Sequence, residues 1–382
     1  MTLALYAKTV RALCILVVAG ILVAGLWPFH APRNDVSWLG NGNGLLFGSH
    51  GTALSSGAFR RIRSHDDGSC SLEIWLEPSL MGSESTILAF DSSADRSLPF
   101  SLRQYGTSIA VQRYMVDEQG IVRRPWLKVD GVFREKKPVF VSITSGKGGT
   151  AVYVDGVPVG LSANLGLTST DMTGQLVIAN STVDDSWSGQ VRGLAIYDRD
   201  LTPGQVTKHF ESWTATQEPA LDGEGAQVAL YLFNEHRGNV AHNITRVDPA
   251  TDLRVPERYF VLHPAFLHST WSQYQAARNA WAGWGNWQDI GINIAGFIPV
   301  GFLFSAYFAS VKRIGRPGLV VVVLGFCLSF AIEALQVLLP TRDSSMTDII
   351  TNTVGSALGV LLYRSSTMQV LLTHAGVFRE DC

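Results

Sequence analysis

The hydrophobic and polar positions divide the chain into two regimes. Three long apolar runs, at 289–311, 317–340 and 346–364, each come near the roughly 20 residues that cross a bilayer, and a fourth lies at 12–27. Between the first and second runs in chain order, from about Val36 to Pro256, the period shortens to two. Ser71-Leu72-Glu73-Ile74-Trp75-Leu76 alternates, and 151–159 reads as a hairpin with Asp155-Gly156 at the turn, where positive φ is needed. Short runs of this kind, bounded by Gly-rich turns and with no helix of length before Thr202, predict an antiparallel all-β sandwich. The expected class is therefore multidomain: a β sandwich plus an α-helical transmembrane bundle of about four helices. The expected divisions are 1–35 for the first helix, 36–256 for the sandwich, 257–287 for an aromatic linker, 288–365 for the three-helix region and 366–382 for the tail.

Charge sets the direction of each run. Lys8 and Arg11 precede the first; Lys312, Arg313 and Arg316 separate the second and third; Arg364 closes the last. The positive-inside rule puts all of these in the cytoplasm, with the sandwich outside and the tail inside. The run at 12–27 also fits a cleaved signal peptide. A retained anchor fits better, because no small-x-small cleavage site precedes a polar start and Trp27-Pro28-Phe29 reads as an interfacial belt. Trp271, Trp281, Trp284 and Trp287 read as a second belt, and His263 and His268 as interfacial side chains.

With that topology, polar residues inside the apolar runs fall at one level, toward the extracytoplasmic face. Asp289 and Asn293 open one helix, Glu333 and Gln336 close the next, Asp348 and Asn352 open the last, and Arg342 lies in the loop above. Spacings of three or four put each pair on one helix face, so the side chains are expected to converge. Glu333 lies seven residues before Pro340, about 10 Å along the axis. An ionisable group at that depth marks a candidate site. Structural readings stand beside this one: Asp289 and Asp348 as helix caps, Asn293, Gln336 and Asn352 as interhelical hydrogen-bonders, and Glu333 as the buried partner of Arg342. Asp-Ile-x-x-Asn-x-x-Gly also occurs twice, at Asp289 and at Asp348, which suggests a parallel internal repeat.

These residues resemble the VanZ-like family of bacterial membrane proteins, through Asp289, Asn293-x-x-Gly296-Phe297-x-Pro299-x-Gly301, Glu333-x-x-Gln336, Pro340-x-Arg342, Asp348 and Asn352-x-x-Gly355. The resemblance implies the bacterial cytoplasmic (inner) membrane, the cell envelope and a link to resistance against the glycopeptide teicoplanin. The alternating region resembles the laminin-G-like, concanavalin A-like jelly roll over about 45–215. The matching residues are Leu72-Glu73-Ile74-Trp75-Leu76-Glu77-Pro78, Tyr153-Val154-Asp155-Gly156 and the closing strand Gly189 to Thr202. That resemblance implies binding of glycans or proteins. A run at Val228-Ala229-Leu230-Tyr231-Leu232-Phe233 is similar to the strand that usually begins such domains. Coming last here, it implies a circular rearrangement that brings the ends of the domain together.

Composition narrows the chemistry. The 382 residues are 46% hydrophobic and 16% charged, with a formal net charge of −2, which leaves no basic patch for nucleic acid. Cys70 stands alone among the four cysteines in the sandwich region, excluding a disulfide framework there. No acidic cluster has Ca²⁺-ligand spacing, Asp66-Asp67 and Asp184-Asp185 reading as turn acids, so neither Ca²⁺ in the jelly roll nor any other cofactor or metal has a motif behind it. No paired-carboxylate strand motif of a glycanase is present. The lipid bilayer is one expected partner. The expected role is binding of an envelope ligand, whether glycan, lipid headgroup, peptidoglycan precursor or envelope protein, through Asp289, Asn293, Glu333, Gln336, Arg342, Asp348 and Asn352. An intramembrane enzyme with Glu333 as acid or base, and a structural scaffold, are the alternatives.

Overall fold

A computed structural model describes residues 3–60, 68–92, 97–117, 119–180, 186–217, 227–245, 248–262, 266–267, 283–311, 316–342 and 344–374. Two compact units result: Pro32–His263, and Met1–Ala31 together with Pro264–Cys382. The β unit is thus one continuous insertion into the sequence of the helical unit. Its ends are tied to each other. Arg33 bridges Arg258, the Tyr259 N–H donates to the Pro32 carbonyl at 3.1 Å, and the Asn34 amide donates to the backbone of Thr52 and Pro256. These pairings extend the unit a few residues beyond 36–256 at both ends.

Two antiparallel sheets of eight strands form the sandwich among the described residues. The first runs β1 (Val36–Trp38), β2 (Leu45–Phe47), β15 (Gly189–Tyr197), β4 (Cys70–Pro78), β11 (Val139–Gly146), β12 (Gly149–Val154) and β13 (Val157–Ser162), with β16 (Gln227–Tyr231) also on β15. The second runs β10 (Trp126–Val129), β7 (Ser108–Arg113), β6 (Ser97–Tyr105), β5 (Glu84–Ser92), β14 (Gly174–Ile178), β3 (Ala53–Phe59), β18 (Leu253–Arg254) and β17 (Val240–Ala241). A small ribbon pairs β8 (Met115–Val116) with β9 (Val122–Arg123). Alternation delivers Leu72, Ile74 and Leu76 of β4, with Phe47, Phe90, Phe100 and Trp187, to the core between the sheets. The late strand β16 pairs Leu194–Tyr197 of β15, while β2 pairs Gly189–Val191 on the same side. It fills the half of that edge that β2 leaves open.

Strand β4 is buried on both faces because α2 (Pro203–Thr216) covers the outer one. Thr202 caps this helix, reciprocally with Gln205, and Pro203 opens it, so its start is written in the sequence. Val206, His209 and Trp213 face down, onto Trp75, Phe140 and Tyr197. Gly193 lies beneath the Trp213 ring, where any Cβ would collide with the indole. Under α2 the Glu73 carboxylate is sealed from solvent. It accepts from the Tyr197 hydroxyl at 2.8 Å, the His209 Nδ1 at 3.0 Å and the Ser142 hydroxyl at 3.3 Å. Burial, then the Glu73 charge, holds the Tyr197 hydroxyl well above its ordinary value.

The helical unit contains α1 (Leu3–Leu26), α3 (Gly283–Val311), α4 (Pro317–Gln336), α5 (Met346–Arg364) and α6 (Ser366–His374). Both α1 and α3 start earlier than their apolar runs, and α6 is a helix the tail pattern did not suggest; residues 375–382 lie outside the described set. Among the described residues three helices, α1, α3 and α4, are long and apolar enough to cross a membrane. A fourth span was expected at α5, which falls short because Thr347, Asp348, Thr351, Asn352, Thr353 and Ser356 dilute it. Packing holds it instead: Ile349, Gly355, Gly359 and Val360 are buried against its neighbours. Large apolar side chains such as Leu16, Leu319, Ile350 and Leu361 point outward, an arrangement suited to lipid and costly in water.

Candidate functional site

Small residues bring α3 and α5 together. A Cβ on Gly355 would strike the Ile294 carbonyl, one on Gly359 the Ile298 carbonyl, and one on Gly301 the Ser356 carbonyl. The contacts advance in the same direction on both helices, so α3 and α5 are parallel, and the two Asp-Ile-x-x-Asn-x-x-Gly copies lie at one level. Close approach through Gly-x-x-x-Gly substitutes for the hydrophobic effect, which gives no drive between helices in lipid.

On its other side α5 meets α4 along a polar seam. Its three rungs pair residues four apart on each helix. Glu333 Oε2 accepts from the Ser345 N–H at 2.7 Å, with Ser344 and Asp348 beside the same carboxylate. One turn deeper the Asn352 amide donates to the Ser329 hydroxyl at 2.9 Å. At the third rung Ser356 packs against Gly325, where a Cβ would strike its hydroxyl. Glu333 is 2% exposed, and Ser329 and Ser356 are fully buried. Ser345 is the N-cap of α5, its hydroxyl accepting from the Thr347 N–H at 3.2 Å. Glu333 therefore supplies an anion to the N-terminus of a neighbouring helix, satisfying a free N–H and the helix dipole together.

Of the seven expected site residues, the seam gathers Glu333, Asp348 and Asn352. Gln336 is buried nearby but turns to α1, its amide donating to the Gly25 carbonyl at 2.9 Å. Arg342 does not pair with Glu333. Its guanidinium donates to the Trp27 carbonyl at 2.8 and 3.0 Å and to Ala24 at 3.3 Å, closing the C-terminal end of α1. Asp289 and Asn293 do not converge with the others. Because α3 begins at Gly283, Asp289 lies in its second turn, exposed and unable to cap, and Asn293 is half-buried with no side-chain hydrogen bond among the described residues. The α1 side chains Val17 and Ile21 pack in the apolar cluster around Phe297 and Val300 of α3. Ser329, Ser356 and Gly359 were missed by the sequence reading. The signal for Ser329 and Ser356 was a stripe of small and polar residues at a period of four, Gly325-Ser329-Glu333 against Asp348-Asn352-Ser356, and that for Gly359 was its spacing of four from Gly355.

On the sandwich, the second sheet presents an open aromatic surface. Trp126, 52% exposed, meets Tyr105 edge-on at 5.8 Å across β7, with the small Ala110 between their strands, and the Arg103 guanidinium lies 5.4 Å from the Tyr105 ring centre. Arg124 lies 5.7 Å over Tyr114. Among the described residues no three His, Cys, Asp or Glu gather as a metal would require. Asp66, Asp67, Asp184, Asp185, His263, His268, Trp271, Trp281, Lys312, Arg313 and Asp343 lie outside the described residues.

Two families match this chain. The VanZ/LLP1 family model matches residues 230–371, beginning well before the helices and taking in β16 to β18. The concanavalin A-like lectin/glucanases superfamily matches residues 50–207. No curated relative matches the chain in sequence. Among solved structures, a heptameric SAP-like pentraxin from Limulus polyphemus shares 16% identity over 42% of this chain and 82% of its own, with a TM-score of 0.31. The receptor binding domain of botulinum neurotoxin D shares 15% identity over 49% of this chain and 48% of its own, with a TM-score of 0.36. The serotype D ligand binding domain in complex with N-acetylneuraminic acid shares 16% over 49% and 46%, with a TM-score of 0.32. The chain spans under half the length of these neurotoxin domains. Helices long and apolar enough to cross a membrane, together with the VanZ-like match, are the features of a membrane protein. It joins a VanZ-like helical region to a concanavalin A-like sandwich within one chain.

Proposed function

We propose that this protein recognises a cell-envelope ligand through its sandwich, while the VanZ-like helices hold it in the bacterial cytoplasmic membrane with the sandwich on the extracytoplasmic side. The observation that carries the reading is the Trp126–Tyr105–Arg103 surface. In one sheet α2 covers the central strands, and the other leaves an exposed indole flanked by a phenol, a guanidinium, Gln112 and Lys128. A pyranose ring fits such a surface, since its C–H face stacks on an aromatic ring while its rim of hydroxyls meets planar polar groups. The basic residues at 8, 11, 312, 313, 316 and 364 support the orientation. The resemblance to VanZ-like proteins supports a link to teicoplanin susceptibility.

The test is co-sedimentation of full-length protein in nanodiscs with purified peptidoglycan sacculi. Wild type is expected in the pellet, and Trp126→Ala in the supernatant with unchanged thermal unfolding. Failure of wild type to bind sacculi, and of soluble glycans to change its tryptophan fluorescence, would refute glycan recognition. In cells, Glu333→Gln at normal abundance is expected to alter teicoplanin susceptibility; an unchanged susceptibility would remove the seam from that role.

A further inference from the structure

Ten buried side-chain polar atoms have no hydrogen-bond partner in the protein among the described residues, and four of them lie in one corner of the helical unit. These are Thr341 Oγ1 in the loop between α4 and α5, Gln336 Oε1, Asn352 Oδ1 and Ser356 Oγ. Gln336, Asn352 and Ser356 are each more than nine-tenths buried. Gln336 Oε1 and Asn352 Oδ1 are amide oxygens that only accept, and Thr341 Oγ1 and Ser356 Oγ are hydroxyls that both donate and accept. A buried polar atom left without a partner costs about 1–3 kcal/mol, and the usual resolution is an ordered water.

The atoms form a series. Thr341 stands at the loop end, Glu333 follows on the seam, and Asn352 and Ser356 continue one helical turn apart on α5, while Gln336 lies to the side against α1. Cβ atoms four residues apart on a helix are about 5–6 Å from each other, a gap that one water fills with two hydrogen bonds. Past Ser356 the series ends, because Val360 packs on Gly318 and Val321 is fully buried. Size limits the occupant as well. Ser356 lies so close to Gly325 that a Cβ there would strike its hydroxyl, and Ser329, Glu333, Asn352 and Ser356 are 0–6% exposed, so a lipid headgroup or a sugar has no room.

We propose that the α4–α5 seam is an aqueous inlet, a binding site for a short file of waters and for monovalent cations of their size, running from Thr341 past Glu333 to Ser356. Glu333 is its anionic wall. Its carboxylate caps Ser345 with Ser344 beside it, and Arg342, the cation nearest in sequence, is committed to the carbonyls of α1, so no cation among the described residues pairs with Glu333. The inference rests on the seam alone and stands whether or not the sandwich binds a glycan.

The test uses the full chain in nanodiscs with its four cysteines replaced by alanine. Ser356→Cys and Ser329→Cys are exposed to Ag⁺, a water-sized thiol reagent, and then to maleimide after denaturation. Loss of maleimide labelling at both positions is expected, with full labelling retained at Val300→Cys, which is equally buried in the apolar cluster between α1 and α3. Glu333→Gln is expected to slow the Ag⁺ reaction at Ser356→Cys. Ag⁺ protection no greater at Ser356→Cys than at Val300→Cys would overturn the inlet. Should the cysteine variants fail to fold, a high-resolution map of the wild type decides: solvent density between Asn352 Oδ1 and Ser356 Oγ is expected, and a dry, well-resolved seam would overturn the proposal. Unchanged sacculus binding alongside a dry seam would leave sandwich recognition intact.

Discussion

Replacing Glu333 separates its charge from its shape. In the structure its Oε2 accepts the Ser345 N–H at 2.7 Å, and that N–H belongs to a 5% exposed residue at the head of α5. A hydrogen bond to a charged group contributes about 1.5–3 kcal/mol, roughly twice a neutral one. Glu333→Gln keeps an acceptor at the same place and gives up the charge-assisted part and the dipole interaction, so it is expected to cost about 1 kcal/mol. Glu333→Leu leaves the Ser345 N–H and the Ser344 side chain without their carboxylate, so it is expected to cost about 3 kcal/mol. The assay is thermal unfolding of the full-length protein in detergent, read beside abundance in the membrane. A graded loss, small for Gln and large for Leu, supports capping by an acceptor. Equal and severe losses would refute the reasoning, because they would mean that the charge itself holds the bundle. A Leu variant as stable as wild type would show that α5 does not need this cap.

Other parts of the fold make separate predictions. His209→Ala removes one of three partners from the sealed Glu73 carboxylate and is expected to destabilise the sandwich by about 2–4 kcal/mol, lowering its melting temperature by roughly 5–15 °C in calorimetry; a change under about 1 kcal/mol would show that Tyr197 and Ser142 suffice. Gly359→Leu drives a side chain into the Ile298 carbonyl and is expected to cost about 3 kcal/mol or more, seen as loss of the monodisperse peak in detergent, while Leu358→Ala on the exposed side leaves it unchanged. Burial, with a smaller contribution from the Asp171 charge, pushes the Cys70 thiol up from near 9 to about 12. The unfolded chain releases that proton near pH 9 while the folded chain keeps it, so the stability is full below pH 9 and declines as pH rises toward 12. Cys70→Ala is expected to lose less stability than wild type between about pH 8 and pH 10 in denaturant titrations, and parallel losses would refute this.

Local pattern determined much of this protein. Alternation placed Leu72, Ile74 and Leu76 in a sandwich core, the Thr202-Pro203-Gln205 signal started α2, and apolar length marked α1, α3 and α4, because these choices depend on neighbours in sequence. The relative level of the polar residues along the helices was also legible, since helix rise and loop length fix it. What the sequence left open was direction around each helix axis. Asp289 and Asp348 carry the same motif, yet one is exposed and the other lies beside Glu333, because α5 is enclosed between α3 and α4 while Asp289 lies on an exposed face of α3. Arg342 is three residues from Ser345 and still reaches Trp27 and Ala24, distant in sequence, because the C-terminal carbonyls of α1 are the free acceptors within its reach. Glu73 reads as one polar position in an alternating strand, and only the return of α2 over β4 makes it a sealed carboxylate with three partners. Periodicity is a property of the chain and fixes which residues share a face. Which face meets which is decided by packing, where backbone contact at Gly355 and Gly359 sets the angle of every side chain on α5.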